Sequence, residues 1–274
     1  MPFYKIYQPS EKLKGLVRNF QLYHANWNEE KNLPRPFITC LANTEQNLYF
    51  YLGDEVKLVP AMDVEISIPK MVVTGPKYKP VGLLFGQDHL MLEISFQPTG
   101  TYRFLGIEMP PLTNKGIDAI SIWGDEIQDL YLSMKGAKGY DQVISMAIDF
   151  LEKRSLRCRP EQPIDTVAIE MKDPNNDRAL EEWAERSCLS LRQFERNFLS
   201  RVGLPPKLFI RIVRFEHAMK IKTEAPSRTW SEIAMECGYT DSSHMLREFR
   251  EFAEFPPGKF FESPTSGFSE FPTA

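Results

Sequence analysis

Arg192, Gln193, Arg196 and Ser200 are the residues whose types and spacing suggest chemistry most directly. At 100° per residue they share one face of a helix, while Leu191, Phe194, Phe198 and Val202 share the other. An arginine fork matches guanine O6 and N7, a glutamine amide matches adenine N6 and N7, and a serine hydroxyl serves either base. A related division recurs about fifty residues later. Ser243, Arg247 and Arg250 point largely away from Met245, Phe249 and Phe252, with His244 on the flank. The chemistry on offer is hydrogen bonding and charge pairing with DNA rather than bond making.

Local signals place these residues on helices. Ser190 and Gln193 form a Ser-x-x-Gln capping box, Gly203 ends the helix, and Pro205-Pro206 begins the next. Upstream, Asp177 is the expected cap of a helix over 178–186. Glu181 and Glu182 lie near its positive end, and Leu180, Trp183 and Ala184 form its apolar face. Downstream, Thr229 and Glu232 form a second capping box, Ile233 and Ala234 supply a buried face, Gly238 turns the chain, and Asp241 caps the last reader. Between the units, 206–223 carries apolar residues at Leu208, Ile212, Phe215 and Met219. Seventeen helical residues span roughly 26 Å. With the offset of each reader, that approaches one DNA turn of about 34 Å. Capped amphipathic helix pairs also suit an all-α protein-interaction module, and periodicity leaves both readings open.

The net charge of −4 does not favour a nucleic-acid partner, but its distribution is uneven. Residues 186–222 hold nine basic side chains against Glu195 and Glu216, a local +7. Residues 223–262 hold four basic against eight acidic side chains, a local −4. Carboxylates near phosphate oppose binding, so the first unit is expected to carry most of the affinity. No apolar stretch approaches the length of a membrane span, and the N-terminus does not resemble a secretory signal. Cys40, Cys158, Cys188 and Cys237 are far apart and read as reduced thiols of a cytoplasmic protein.

The first part of the chain has a different grammar. Segments 47–53, 64–69, 71–76, 81–86 and 90–98 have strand length and composition, with no periodic helix among residues 1–112. A barrel or a sandwich is implied. From about Ile117 the period becomes helical, with helices expected around 123–134 and 140–154. These helices could pack on their own domain or form a dimer contact. Residues 157–163 carry two prolines and little apolar content and read as a linker; 263–274 reads as a flexible tail. His24 and His89 are the only histidines of the first domain and form no metal-ligand pattern, so no catalytic residue, metal or cofactor is expected. Its many aromatics, Tyr23, Trp27, Phe37, Tyr49, Phe50, Tyr51, Phe85, Phe96, Tyr102 and Phe104, suit a ligand pocket or an ordinary core.

Ser190-Leu-Arg-Gln-Phe194, Phe198, Gly203, Pro206, Phe209, Arg214 and Ala218 resemble the first half of the AraC/XylS DNA-binding signature. Gly238 through Ser243, His244, Arg247, Phe249, Pro257 and Phe260 resemble its second half at the family's spacing. The resemblance implies a seven-helix domain whose two recognition helices enter successive major grooves. By position, Arg192, Gln193 and Arg196 match the first reader. Ser242, Ser243, Arg247 and Arg250 match the second, with Arg250 at a phosphate contact. Arg214 matches a structural position. Ala253-Glu254 departs from the family's usual Phe-Gly, so the following turn is expected to be longer or differently shaped. Residues 96–106 and 122–124 resemble the β-rich sensor domain of some members. The expected architecture is therefore an α+β multidomain chain. A β-rich, cupin-like barrel with two trailing helices spans 1–156, and an all-α domain with two helix-turn-helix motifs spans 164–262. The expected partners are double-stranded DNA, a small-molecule effector, a second copy of the chain and the transcription machinery, with no membrane.

Overall fold

Residues 2–27, 37–60 and 64–255 are described by a computed structural model. The N-terminal domain contains strands β1 (Phe3–Tyr7), β2 (Val17–Asn26), β3 (Phe37–Cys40), β4 (Asn47–Tyr51), β5 (Lys57–Val59), β6 (Ile66–Ser67), β7 (Met71–Thr74), β8 (Val81–Leu84) and β9 (Asp88–Phe96). Then come α1 (Gly100–Leu105), β10 (Gly116–Asp118), α2 (Ile120–Trp123), α3 (Asp125–Lys135) and α4 (Tyr140–Ser155). The strands make two antiparallel sheets, one in the order β1-β2-β9-β4-β7-β10 and one in the order β3-β8-β5-β6.

Period-two alternation gives the large sheet two different faces. Phe20, Leu22, Leu48, Phe50, Met71, Val73, Leu92 and Ile94 point to one face, where they share a core with Ile127, Tyr131, Ala147 and Leu151 of α3 and α4. Full burial of each large apolar side chain contributes about 1.5–3 kcal/mol. The intervening residues face the small sheet. The paired helices thus pack on their own domain. Two local expectations need correction. A short helix, α1, does interrupt the first 112 residues; six residues are too few to show a 3.6-residue period. The helix expected around 123–134 forms as α3 but starts two residues later, because Gly124, with φ of 58°, separates it from α2.

Helices α5 (Pro163–Glu170), α6 (Leu180–Arg186), α7 (Leu191–Val202), α8 (Pro206–Glu224), α9 (Trp230–Glu236) and α10 (Ser242–Ala253) build the C-terminal domain. Trp183, Phe194, Phe198, Phe209, Phe215, Phe249 and Phe252 fill its core. The seventh helix implied by the resemblance, together with Pro257, Phe260 and the tail at 263–274, lies outside the described residues. Helix α6 begins later than expected, with Ala179 rather than Asp177 at its N-cap. The preceding chain is extended so that the Arg178 guanidinium covers the Trp183 ring at 5.1 Å. Glu254 takes the left-handed C-cap of α10, at φ 60° and a backbone cost of roughly 1–2 kcal/mol. The rest of the turn expected to differ lies outside the described residues.

The two helix-turn-helix units repeat one turn. Leu189 N–H donates to Ala184 O at 3.0 Å in the first, and Tyr239 N–H donates to Ala234 O at 2.9 Å in the second. Cys188 (φ 56°) and Gly238 (φ 70°) hold the matching left-handed position. A Cβ at Gly238 would meet nothing within 4 Å, so only its backbone conformation resists substitution. Gly238→Ala should lower stability by about 1 kcal/mol in urea unfolding. Cys188→Gly should raise it, by less than that, because glycine also gains freedom in the unfolded chain. A neutral Gly238→Ala would refute the strain argument.

Candidate functional site

Helix α7 is anchored by Phe194, Phe198 and Val202, all fully buried. Its Ser190 hydroxyl accepts from Gln193 N–H at 3.4 Å, and the Gln193 side-chain oxygen accepts from Ser190 N–H at 3.1 Å and Oγ at 2.9 Å. Gln193 is exposed, but that oxygen is engaged in the cap. Arg192 and Arg196 are exposed and have no hydrogen-bond or ion-pair partner among the described residues. Ser200 is half-buried near the end of the helix, where its carbonyl accepts from Met109 N–H of the N-terminal domain at 2.9 Å. The four residues named from the sequence therefore differ: two free guanidiniums, one capping amide and one hydroxyl beside a domain contact.

Helix α10 presents Ser243, Arg247 and Arg250 to solvent and keeps Ser242 half-buried. Asp241 caps it by accepting from His244 N–H at 2.7 Å. Its orientation is set by Glu248, whose side chain is 3% exposed. Glu248 accepts from Arg211 Nε at 2.8 Å and from Arg214 at 3.2 Å, both on α8. Arg214 also lies over the Tyr239 ring at 4.5 Å. It is a packing residue, as the resemblance implies.

The local +7 read from the sequence is largely neutralised in space. Arg186 pairs with Glu170, Arg201 with Asp165, Arg211 with Glu248 and Glu251, Arg214 with Glu248, and Lys220 with Glu224. Lys222 donates to the carbonyls of Pro226 and Arg228. Among the described residues, Arg192, Arg196 and Lys207 on the first unit and Arg247 and Arg250 on the second have neither an ion pair nor a side-chain hydrogen bond. Lys207, one of the nine basic residues, stands exposed at the start of α8, a placement that sequence periodicity does not reveal.

The N-terminal domain is docked on the end of α7, on α8 and on α10. Thr113 Oγ1 donates to Gly203 O at 2.6 Å, Gln46 Nε2 to Val202 O at 3.1 Å, and Ala42 N–H to Phe252 O at 3.2 Å. Thr44 donates its N–H and hydroxyl to Glu216 of α8 at 3.1 and 3.0 Å. Burial raises the Glu216 carboxyl, and the nearby Glu45 carboxylate raises it further. Burial also opposes ionisation of Glu45, but Lys172 (2.5 Å) and Arg18 (2.5 Å) outweigh it and hold that carboxyl low.

Between the two sheets lies a cavity of about 580 Å³. Tyr23, Tyr49, Tyr51 and Phe85 line it, whereas Phe50 and Phe96 belong to the helix-covered core. Glu93 on β9 also borders it, with one hydrogen bond, from Ser95 Oγ at 3.2 Å. Burial, then repulsion from Glu45, pushes the Glu93 carboxyl up to about 7. Sequence reading passed over Glu93, because a charged residue alternating with leucines in a strand reads as solvent-facing. Nearby, His89 is enclosed by the rings of Phe85, Tyr23, Tyr51 and Trp27, and neither ring nitrogen has a hydrogen-bond partner among the described residues. Burial lowers it to about 4, so it is neutral at pH 7. Among the described residues no cluster of three His, Cys, Asp or Glu side chains could hold a metal. No helix of the described residues is long and apolar enough to cross a membrane.

A family model described as a helix-turn-helix domain matches residues 183–263. An HTH-type transcriptional regulator of Haemophilus influenzae is 25% identical over 116 residues, which is 42% of this chain and 39% of that protein. The chain thus aligns with about two-fifths of that curated relative's length. Among solved structures, ToxT from Vibrio cholerae O395 is similar over 89% of this chain and 96% of its own, at 11% identity and a TM-score of 0.46. Unsaturated fatty acid bound ToxT from Vibrio cholerae strain SCE256 covers 88% of this chain and 93% of its own, at 12% identity and a TM-score of 0.45. The DNA-binding domain of AdpA in complex with a target DNA covers 36% of this chain and 90% of its own, at 24% identity and a TM-score of 0.33.

The raised Glu93 carboxyl has a consequence for stability. Its folded pKa of about 7 exceeds the ordinary 4.5, so the folded state holds its proton more tightly than the unfolded chain does. That contribution is favourable at low pH and is lost as the pH rises from about 4.5 through about 7. Glu93→Gln should therefore stabilise the protein relative to wild type by up to about 3 kcal/mol at pH 8, and by much less at pH 5. Equal effects of the substitution at both pH values in chemical unfolding would show that Glu93 titrates normally.

Proposed function

We propose that this protein is a sequence-specific, DNA-binding transcription regulator of the AraC type, controlled through its N-terminal domain, on the premise that residues 183–263 match a helix-turn-helix domain. The observation that carries the proposal is the pair Arg192 and Arg196. They stand about one turn apart, exposed and without a partner among the described residues, on a helix whose other face is locked by Phe194 and Phe198. A free guanidinium on a rigid helix can enter a major groove without first breaking an ion pair. Gln193 can join by exchanging its capping bond for a base, or by using its amide nitrogen while the cap stays intact. Ser200 is the weakest candidate of the first unit, because Met109 binds the backbone beside it. On the second unit, Ser243, Arg247 and Arg250 are the accessible contacts, and Ser242 lies at the helix start.

Helix α8 joins the two readers. Its 19 residues extend about 28 Å, close to the rise of one DNA turn, and Glu248 fixes α10 to it. The cavity supports control by a small molecule, because it lies in the domain docked against α7. A ligand that favours one arrangement of the domains would shift DNA affinity by population. The proposal places the protein in the cytoplasm, with a second copy of the chain and the transcription machinery as further partners, and assigns it no catalysis.

Titration of the full chain with duplexes selected from a random pool, over a range of salt, tests the proposal. Phosphate contacts by the free cations make binding weaken with salt, at a slope of log K against log salt of about −0.9 for each phosphate neutralised and at most about −4.5 for all five. Arg196→Ala, which removes a base contact, should relax sequence preference and weaken binding more than Arg247→Ala, since the second unit carries more carboxylates than cations. A flat salt dependence would remove the DNA reading. A larger loss from Arg247→Ala would reverse the ranking of the two units.

A further inference from the structure

The inner face of the large sheet has an unusual centre. In register, Glu93 of β9 lies opposite Gln21 of β2 on one side and Tyr49 of β4 on the other. Two residues along the same strands, Tyr23 and Tyr51 flank Met91, and Tyr4 of β1 lies opposite Tyr23. All these side chains line the cavity. A single carboxyl therefore stands in the middle of a wall of four tyrosines. The facing wall, from the small sheet, is aliphatic and aromatic: Ile38, Leu58, Leu83 and Phe85. Glu93 makes no ion pair among the described residues, although a buried carboxylate is costly without a counterion.

We propose that this cavity binds an organic cation, an ammonium group on an apolar body, with the charge held between Glu93 and the tyrosine faces and the body against the small sheet. This rests on the reading of the N-terminal domain as the effector-binding part of the protein, and names the class of effector. Electron-rich rings around a carboxylate are the chemistry that recognises ammonium ions. An anionic ligand fits less well. The cavity's lysines, Lys77 and Lys115, lie at the end where the chain leaves β7 and enters β10, so an anion held there would leave Glu93 uncompensated.

The charged and titratable groups around Glu93 are Tyr4, Tyr23, Tyr49 and Tyr51, Cys40, Lys77 and Lys115, Arg18 and Glu45. The phenols of Tyr4, Tyr49 and Tyr51 are raised by burial and the Cys40 thiol likewise, so these do not ionise near neutrality. Glu93 is then the group whose charge changes between pH 6 and 8, and only its ionised form is the counterion the ligand needs.

Calorimetric titration of the full chain with octyltrimethylammonium, octanoate and octanol tests this, since the first keeps its charge at every pH. Its affinity should rise about tenfold from pH 6 to pH 8, as the competent, ionised fraction rises. In Glu93→Gln it should be weaker and independent of pH. Tyr51→Leu should weaken the cation while sparing octanol, which guards against a Glu93 variant that fails to fold. Tighter binding of octanoate or octanol than of the cation would overturn the cation class and leave the cavity as an effector site. Binding of none of the three would overturn both.

Discussion

One buried carboxylate holds the architecture together. Asp165 sits in the first turn of α5 with its side chain 2% exposed. One oxygen accepts from Arg201 of α7 at 2.8 Å, and the other caps its own helix through Gln162 N–H at 2.8 Å and lies 4.0 Å from Arg103 of α1. Arg103 also donates to Gly15 O and Arg159 O. The same charge is thus shared by the N-terminal domain, the connecting segment and the first recognition helix. A buried ion group of this kind adds little net stability compared with apolar packing, but loss of one member leaves the others uncompensated. Its effect is to fix position: α7 cannot rotate against the N-terminal domain without exposing or stranding Asp165.

The second junction, at Glu45, differs in kind. There two carboxylates, Glu45 and Glu216, lie close enough to disfavour each other's charge, and Lys172 and Arg18 tip the balance toward ionised Glu45. Glu93 feels the same Glu45 charge from inside the cavity. Charge placed in the cavity is therefore felt at a contact between the domains through low-dielectric protein, where screening by salt is weak. The Asp165 site sets one carboxylate between two arginines, whereas the Glu45 site sets two carboxylates beside Arg18 and Lys172.

What the sequence disclosed follows from the range of the forces involved. The capping boxes at Ser190 and Thr229 and the cap at Asp241 are contacts over three residues, and each forms as its spacing implies. The apolar stripe of Phe194, Phe198 and Val202 was equally legible. The start of α6 was not, because the Arg178–Trp183 stacking competes with a cap at Asp177. Gly124 separates α2 from α3, although the apolar period runs through it. Glu93 was hidden because strand alternation tells which residues share a face but not which face is water. The ion pairs that neutralise the basic segment join residues up to 40 positions apart, as with Arg211 and Glu251, and no window of sequence displays them.

Those long-range pairs change the meaning of the charge count. A run of nine basic residues suggests a broad positive surface, yet four of them hold helices to one another. Arg211 and Arg214 fasten α10 to α8, Arg201 fastens α7 to α5, and Arg186 ties the end of α6 to α5. These arginines make the domain rigid and leave a small set of cations with no internal task. That division suits a reader of base sequence better than a diffuse basic patch does. Specific recognition needs few donors held in a fixed geometry, whereas a broad field favours any phosphate backbone equally. The low net charge of the chain is then consistent with its proposed work, since the charges that face solvent on α7 are few, free and rigidly mounted.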